Sequence, residues 1–245
     1  AIVREIGDRV GESYALGNLG WVAGSQGDFA TARTYAEQMI KIGREVGSRL
    51  SELFGLLNLS LYSGALGEIQ TSLDCAERAL ELARETHDRN GEAWALTYRG
   101  HALLALEHTS EAGVAYEGAF DIRRELDQPA LATESCAGLA RVALIQADLS
   151  AAQAQVELIL NHLDAGGSLD GTDQPLRVYL TCYVVLEAAQ DERAASILET
   201  AHDMLLSRAK NIRDKAARLA FLRDIPYHRE ILSAWDRHQS DTSFS

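Results

Sequence analysis

The chain repeats itself every 40 residues, which limits it to folds that use one small unit several times. Small residues recur at Gly20, Ser60, Gly100 and Ala140, and again at Ala32, Ser72, Ala112 and Ala152. Leu16, Leu56, Leu96 and Cys136 keep the same interval, as do Ile40, Leu80, Phe120 and Leu160. Arg4, Arg44, Arg84 and Arg124 recur too, each followed by Glu. Within a repeat, two stretches such as Ser51 to Ala65 and Ile69 to Glu85 carry apolar residues three and four apart, the spacing of an amphipathic helix. Breaks fall at Gln26-Gly27-Asp28, Leu66-Gly67-Glu68, Glu107-His108-Thr109, Ala147-Asp148 and Gln190-Asp191. A glycine that ends one helix before an acidic or hydroxyl residue that starts the next is stop-then-start chemistry. The expected fold is all-α, a right-handed α-solenoid of stacked antiparallel helical hairpins, with small residues letting the helices approach closely. Glu12, Glu52 and Glu92 fall in the first turn of the first helices, where the helix dipole accounts for them better than a binding role.

Composition narrows the function. The net charge is −13, which disfavours nucleic acid and anionic membranes and favours basic partners. The one locally basic region runs from Leu205 to His238, and its Arg208, Lys210, Arg213, Lys215 and Arg218 read as a solvated face. The uncharged apolar run from Val178 to Leu186 is far short of the roughly 20 residues that cross a bilayer. Cys75, Cys136 and Cys182 are an odd, widely spaced set beside apolar residues, expected as reduced core thiols in a cytoplasmic protein. No Gly-x-x-x-x-Gly-Lys-Ser/Thr loop is present, and Gly166, Gly167 and Gly171 read as a flexible loop before Pro175. The histidines form no i, i+4 ligand pair with a carboxylate. The expectation is a protein without catalytic residues, metal or cofactor.

Leu16-Gly17-Asn18-Leu19-Gly20 is followed by Gly27-Asp28 and Ala32, and Leu56-Leu57-Asn58-Leu59-Ser60 by Gly67-Glu68 and Ser72. This pattern resembles the tetratricopeptide repeat in its 40-residue form, over roughly residues 1–210. Residues 1–11 read as the end of a preceding repeat, because Arg4-Glu5-Ile6-Gly7 aligns with Arg44-Glu45-Val46-Gly47. The chain is therefore expected to be part of a longer one with more repeats upstream. Residues 12–210 read as about five hairpins, 211–238 as capping helices and 239–245 as a disordered tail. The fifth copy departs from the period, with Asp191 lying 43 residues past Asp148. The segment from Phe221 to Leu232 is similar to the closing segment of repeat arrays in bacterial signal-transduction NTPases and transcriptional activators.

The resemblance implies a groove lined by the first helix of each hairpin, and hence a protein- or peptide-binding scaffold. The alternative is a sensor or regulatory arm of a larger bacterial signalling protein. Groove positions recur as Tyr14, Gly17, Asn18, Trp21 and Ser25, then Phe54, Leu57, Asn58, Leu61 and Ala65. The third set is Trp94, Thr97, Tyr98, His101 and Ala105, and the fourth Glu134, Ala137, Gly138, Arg141 and Ile145. The resemblance implies that Asn18 and Asn58 grip a peptide backbone; an amide offers donor and acceptor together. An inter-repeat hydrogen bond would account for them equally. Tyr98 stands where a third Asn would. Tyr14, Phe54 and Trp94 form an aromatic ladder, for which packing between repeats is favoured over a groove wall. Trp21, His101 and Arg141 are the candidates for specificity.

Overall fold

The computed structural model describes residues 7–242, and side chains to residue 240. Among these residues the chain is all helix, with no strand. The helices are α1 (Arg9–Ser25), α2 (Phe29–Val46), α3 (Arg49–Ala65), α4 (Ile69–Glu85), α5 (Arg89–Ala105) and α6 (Thr109–Glu125). They continue as α7 (Pro129–Ile145), α8 (Leu149–Asp164), α9 (Pro175–Ala188), α10 (Arg193–Asn211), α11 (Lys215–Arg223) and α12 (Pro226–Thr242). Within each unit consecutive helices pack as the stacked hairpins the repeat predicts. The first helix starts at Arg9, in phase with Arg49 and Arg89, and the last runs to Thr242, past the expected end at His238. Residues 1–6 and 243–245 lie outside the described residues. Two compact units are present, residues 1–122 and 123–245.

The 40-residue sequence period is a 20-residue period in the backbone. Gly7, Gly27, Gly47, Gly67, His87, Glu107, Asp127 and Ala147 all have positive φ, from 52° to 79°. From Gly27 on, the residue after each bonds back five positions: Ser48 donates its N–H to the Gly43 carbonyl at 2.8 Å, and Asp148 donates to Ala143 at 2.9 Å. This left-handed reversal satisfies the orphan carbonyls of one helix and aims the chain into the next. The next helix is then capped from its own side chain: Asp8, Asp28, Ser48, Asp88 and Asp148 each accept a backbone N–H three residues on.

Inside a hairpin the recurring small residues let the helices touch. Ala32, Ala112, Ala140 and Ala152 are fully buried. A Cβ on Gly100 would stand 2.6 Å from the Tyr116 ring. In the second hairpin, Ser60 and Ser72 exchange hydroxyl-to-carbonyl bonds, both 2.8 Å. Between hairpins of the first unit runs an ion-pair latch. The Arg44 Nε donates to Glu52 at 2.8 Å, and Arg84 Nε to Glu92 at 2.9 Å. Each arginine ends the second helix of one hairpin and reaches the first helix of the next. Arg49 and Arg89 hold the same carboxylates from within the helix. Glu52 and Glu92 are thus joints between hairpins as well as dipole partners.

In the second unit the step lengthens. The positive-φ residues Ala147 and Gln190 lie 43 apart, while Gln128 and Gln174, each just before a helix-starting proline, lie 46 apart. Helix α9 is 14 residues long against 17 for α7, and the loop before it is correspondingly longer. That loop is fastened down, contrary to the expectation of a flexible linker. Leu169 is buried, His162 Nε2 bonds the Ser168 carbonyl at 2.9 Å, and Thr172 bonds Leu169 through both N–H and hydroxyl. The closing helices cover α10: Ile231 and Ala234 are buried, and Trp235 stacks on His202 with centroids 4.2 Å apart. Arg218, from the basic stretch, donates twice to the Ile212 carbonyl just past the end of α10. Cys75, Cys136 and Cys182 are free and buried, and burial pushes their thiols up to about 11, 12 and 12.

Two outcomes follow from these contacts. Ala147 holds a left-handed conformation that costs an L residue roughly 1 kcal/mol, so Ala147→Gly should raise the unfolding free energy by about that amount in urea titrations. Burial alone would push the Glu92 carboxyl up, but hydrogen bonds from Arg84 and Arg89 outweigh it and hold it below its ordinary value. Its contribution is then complete above the ordinary carboxylate range and lost as pH falls through the depressed folded value. Glu92→Gln should therefore cost about 1 kcal/mol at neutral pH. The difference from wild type should vanish in strong acid, as denaturation curves across pH will show.

Candidate groove

Eight of the nine predicted site residues fall in the first unit: Tyr14, Asn18, Trp21, Phe54, Asn58, Trp94, Tyr98 and His101. Arg141 falls in the second. They sit on the first helices α1, α3, α5 and α7 because the seam consumes other faces of those helices. The ladder position changes character along the unit. Tyr14 is 39% exposed and Trp21 63% exposed on α1. Phe54 is half-buried against Leu16, Met39 and Ile42, and Trp94 packs on the core formed by α3 to α5. Packing between repeats therefore accounts for Phe54 and Trp94, while Tyr14 faces outward.

The Asn position behaves otherwise. Asn18 is exposed and Asn58 half-buried, and neither side chain makes a hydrogen bond within the described residues. The inter-repeat bond that would have explained them is absent there. Polar side chains nearby are bonded: Ser13 to Ser51 at 2.8 Å, and His101 Nδ1 to the Tyr116 hydroxyl at 2.7 Å. Tyr98, in the third Asn position, is buried, with its ring 5.7 Å from Trp94 and 6.4 Å from His101. It backs the groove wall and does not line it. His101 is held by Tyr116, which fixes its ring against the second helix of its own hairpin.

The structure corrects one recurring groove position. Leu57, Thr97 and Ala137 are buried, and a Cβ on Gly17 would meet the Met39 sulfur at 3.1 Å. That register turns toward the second helix, so it belongs to the core. In the second unit the groove positions turn polar. Arg141 donates its Nε to the Thr181 hydroxyl at 2.8 Å, tying α7 to α9. Glu134, in the ladder register, is buried. Burial raises its pKa, while Arg177, the Asp173 N–H and Arg123 oppose that shift. The 43-residue step places Arg177 on the same ladder as Tyr14, Phe54, Trp94 and Glu134. The longer spacing was visible in sequence, but the Glu134–Arg177 rung was missed because the fixed interval of 40 ends at Gln174. Among the described residues no cluster of three His, Cys, Asp or Glu side chains could hold a metal, and no helix is long and apolar enough to cross a membrane.

Comparison with known proteins agrees with this architecture. A tetratricopeptide-repeat family model matches residues 14–46. A search of curated proteins finds no match. Among solved structures, BtubC (BKLC) from P. vanneervenii is similar, with a TM-score of 0.64 at 16% identity over 84% of this chain and 85% of that one. The apo form of RapI matches with a TM-score of 0.69 at 13% identity over 95% and 88% of the two chains. A Rap protein complexed with Competence and Sporulation Factor matches with 0.64 at 15% identity over 95% and 68%. At such identities the likeness is one of fold, and the fold is a tetratricopeptide-repeat array.

The ladder offers a direct test of which aromatics pack. Trp94→Ala should cost about 2–3 kcal/mol of stability, as removal of a packed aromatic does. Tyr14→Ala, at an exposed site, should cost under about 1 kcal/mol. Chemical denaturation of the two variants checks the contrast.

Proposed function

We propose that this chain is a non-catalytic scaffold that binds an extended segment of a partner protein along the groove face of its first unit. The observation that carries this reading is the pair Asn18 and Asn58, one repeat apart, with amides that no neighbouring group uses. An amide offers donor and acceptor together, and two such amides open to a ligand, in register on successive first helices, suit a peptide backbone. Tyr14 and Trp21 flank them as exposed aromatics of the kind that anchor apolar side chains. The Rap protein of similar fold, solved with Competence and Sporulation Factor, supports a ligand-binding use of such an array. The second reading, a sensor or regulatory arm of a larger bacterial signalling protein, is favoured by the likeness of the Phe221 to Leu232 segment to the closing segment of such arrays.

The net charge of −13 supports a basic partner through long-range attraction and faster association. In the first unit the groove positions carry no carboxylate, so the preference acts on encounter more than on seating. Buried reduced thiols support a cytoplasmic setting.

The test uses a displayed library of random twelve-residue peptides, selected on the 245-residue protein. Selected peptides should bind the Asn18→Ala/Asn58→Ala protein roughly 10–100-fold more weakly, the loss of about 1–3 kcal/mol expected when backbone partners are left unpaired. Its melting temperature should match wild type. Unchanged affinity in the double variant removes both residues from the site.

A further inference from the structure

Between α8 and α9 the chain runs without helix from Ala165 to Gln174, whereas Gln26, Gly27 and Asp28 alone join α1 to α2. This longer segment lies on α7. A Cβ on Gly171 would stand 3.3 Å from Leu131 Cδ2, and one turn further along α7 the Asp173 N–H donates to the Glu134 carboxyl. Leu169 is buried, and Gly166 and Gly171 bracket it in left-handed conformations with φ of 83° and 88°. The ladder differs where this segment crosses it. Tyr14 is exposed and Phe54 and Trp94 are half-buried, but Glu134, in the same register, is 2% exposed.

A carboxylate taken out of water must be paired or take up a proton. Burial pushes the Glu134 carboxyl from an ordinary 4.5 up to about 7, against the Arg177 charge of α9, the Asp173 N–H and the Arg123 charge of α6. From α12, Tyr227 faces the same cluster, with Arg208 of α10 and Asp173 also acting on it. Burial pushes this phenol up to about 12, so it stays neutral around pH 7. His162 of α8 fastens the other end of the segment by donating Nε2–H to the Ser168 carbonyl, a bond that either charge state can make.

We propose that the segment from Ala165 to Gln174 is a proton-operated strap over α7: a proton on Glu134 holds it down, and loss of that proton frees it to lift. Held down, the strap keeps Glu134 out of water and favours the neutral carboxyl; lifted, it returns the carboxylate to water. The strap is therefore tightest below an ordinary carboxyl value of 4.5 and weakens as pH rises toward about 7. Above that it changes no further, because Glu134 is charged in both states. A fall in pH just below neutrality closes the strap over Leu131 and Glu134. A rise opens this stretch of α7 and presents its carboxylate to a basic partner.

The test is hydrogen exchange at the Thr172 and Asp173 amides of the 245-residue protein, wild type against Glu134→Gln, from about pH 5 to about pH 8. The ratio of the two rates at each pH cancels the intrinsic pH dependence of exchange and the contributions of His162, Asp164 and Asp170. That ratio should rise at least about tenfold between about pH 5 and about pH 7 and then flatten. A ratio that stays level overturns the proposal, whether both proteins remain equally protected or both loosen alike. A second measurement needs no variant: the carbon-13 shift of the Glu134 carboxyl in the whole chain should titrate near 7. A midpoint at the ordinary carboxyl value overturns the proposal as well.

Discussion

In the first unit a hairpin buries only part of its apolar surface by itself; the rest depends on the contact between its second helix and the first helix of its successor. That contact tolerates little change. Gly55 lies so close to Ile40 and to the Ala36 carbonyl that a single added methyl would force the helices apart. At the end of the seam, the Glu52 carboxylate sits out of water between Arg44 and Arg49. A carboxylate in that position must be paired, so it stabilises only the arrangement in which the neighbouring hairpin delivers its arginine. Apolar closeness supplies the attraction, and the buried ion pair selects the register.

The turns serve the same contact. A left-handed residue every twentieth position ends each helix at the same point, so that small residues meet small residues in hairpin after hairpin. Four of these positions are glycine, while His87, Glu107, Asp127 and Ala147 adopt the conformation at a cost in backbone strain. Their persistence there shows that seam packing outweighs the local preference of the chain. In the second unit the period lengthens and α9 shortens. The buried Glu134 stands in the register of the aromatic ladder, and the Arg177 charge, the Asp173 N–H and the Arg123 charge oppose the upward push of burial on its carboxyl.

The groove is what the seams leave over. Helices α3 and α5 each give one stripe to their own second helix and another to the preceding hairpin, and the third faces outward. On α1 and α3 that third stripe carries Asn18 and Asn58, whose amides are not drawn into any seam. On α5 the equivalent Tyr98 is drawn in, through its contacts with Trp94 and His101. Outward-facing and seam-packed residues therefore sit next to each other on the same helix, one step of about 100° apart.

Much of this was legible in the amino-acid sequence. The interval between Gly20, Ser60, Gly100 and Ala140 dictated hairpins of fixed length, because only small residues allow two helix backbones to approach. The cap residues Asp8, Ser48 and Asp88 marked where helices begin, since a short polar side chain there satisfies an orphan N–H. Both signals are local, so they need no knowledge of neighbours. What each outward residue does was decided by the tertiary structure. Leu57 and Asn58 are adjacent in sequence, yet one is core and the other is half-buried at the outward face, because a difference of about 100° around the helix matters only once the second helix has taken its place. Phe54 and Tyr14 share a ladder, yet one is packed and the other open, because burial depends on the hairpin that stands before it. The Glu134–Arg177 rung arose in the same way: a three-residue change in spacing means nothing along the chain until the fold turns it into a shift of partner.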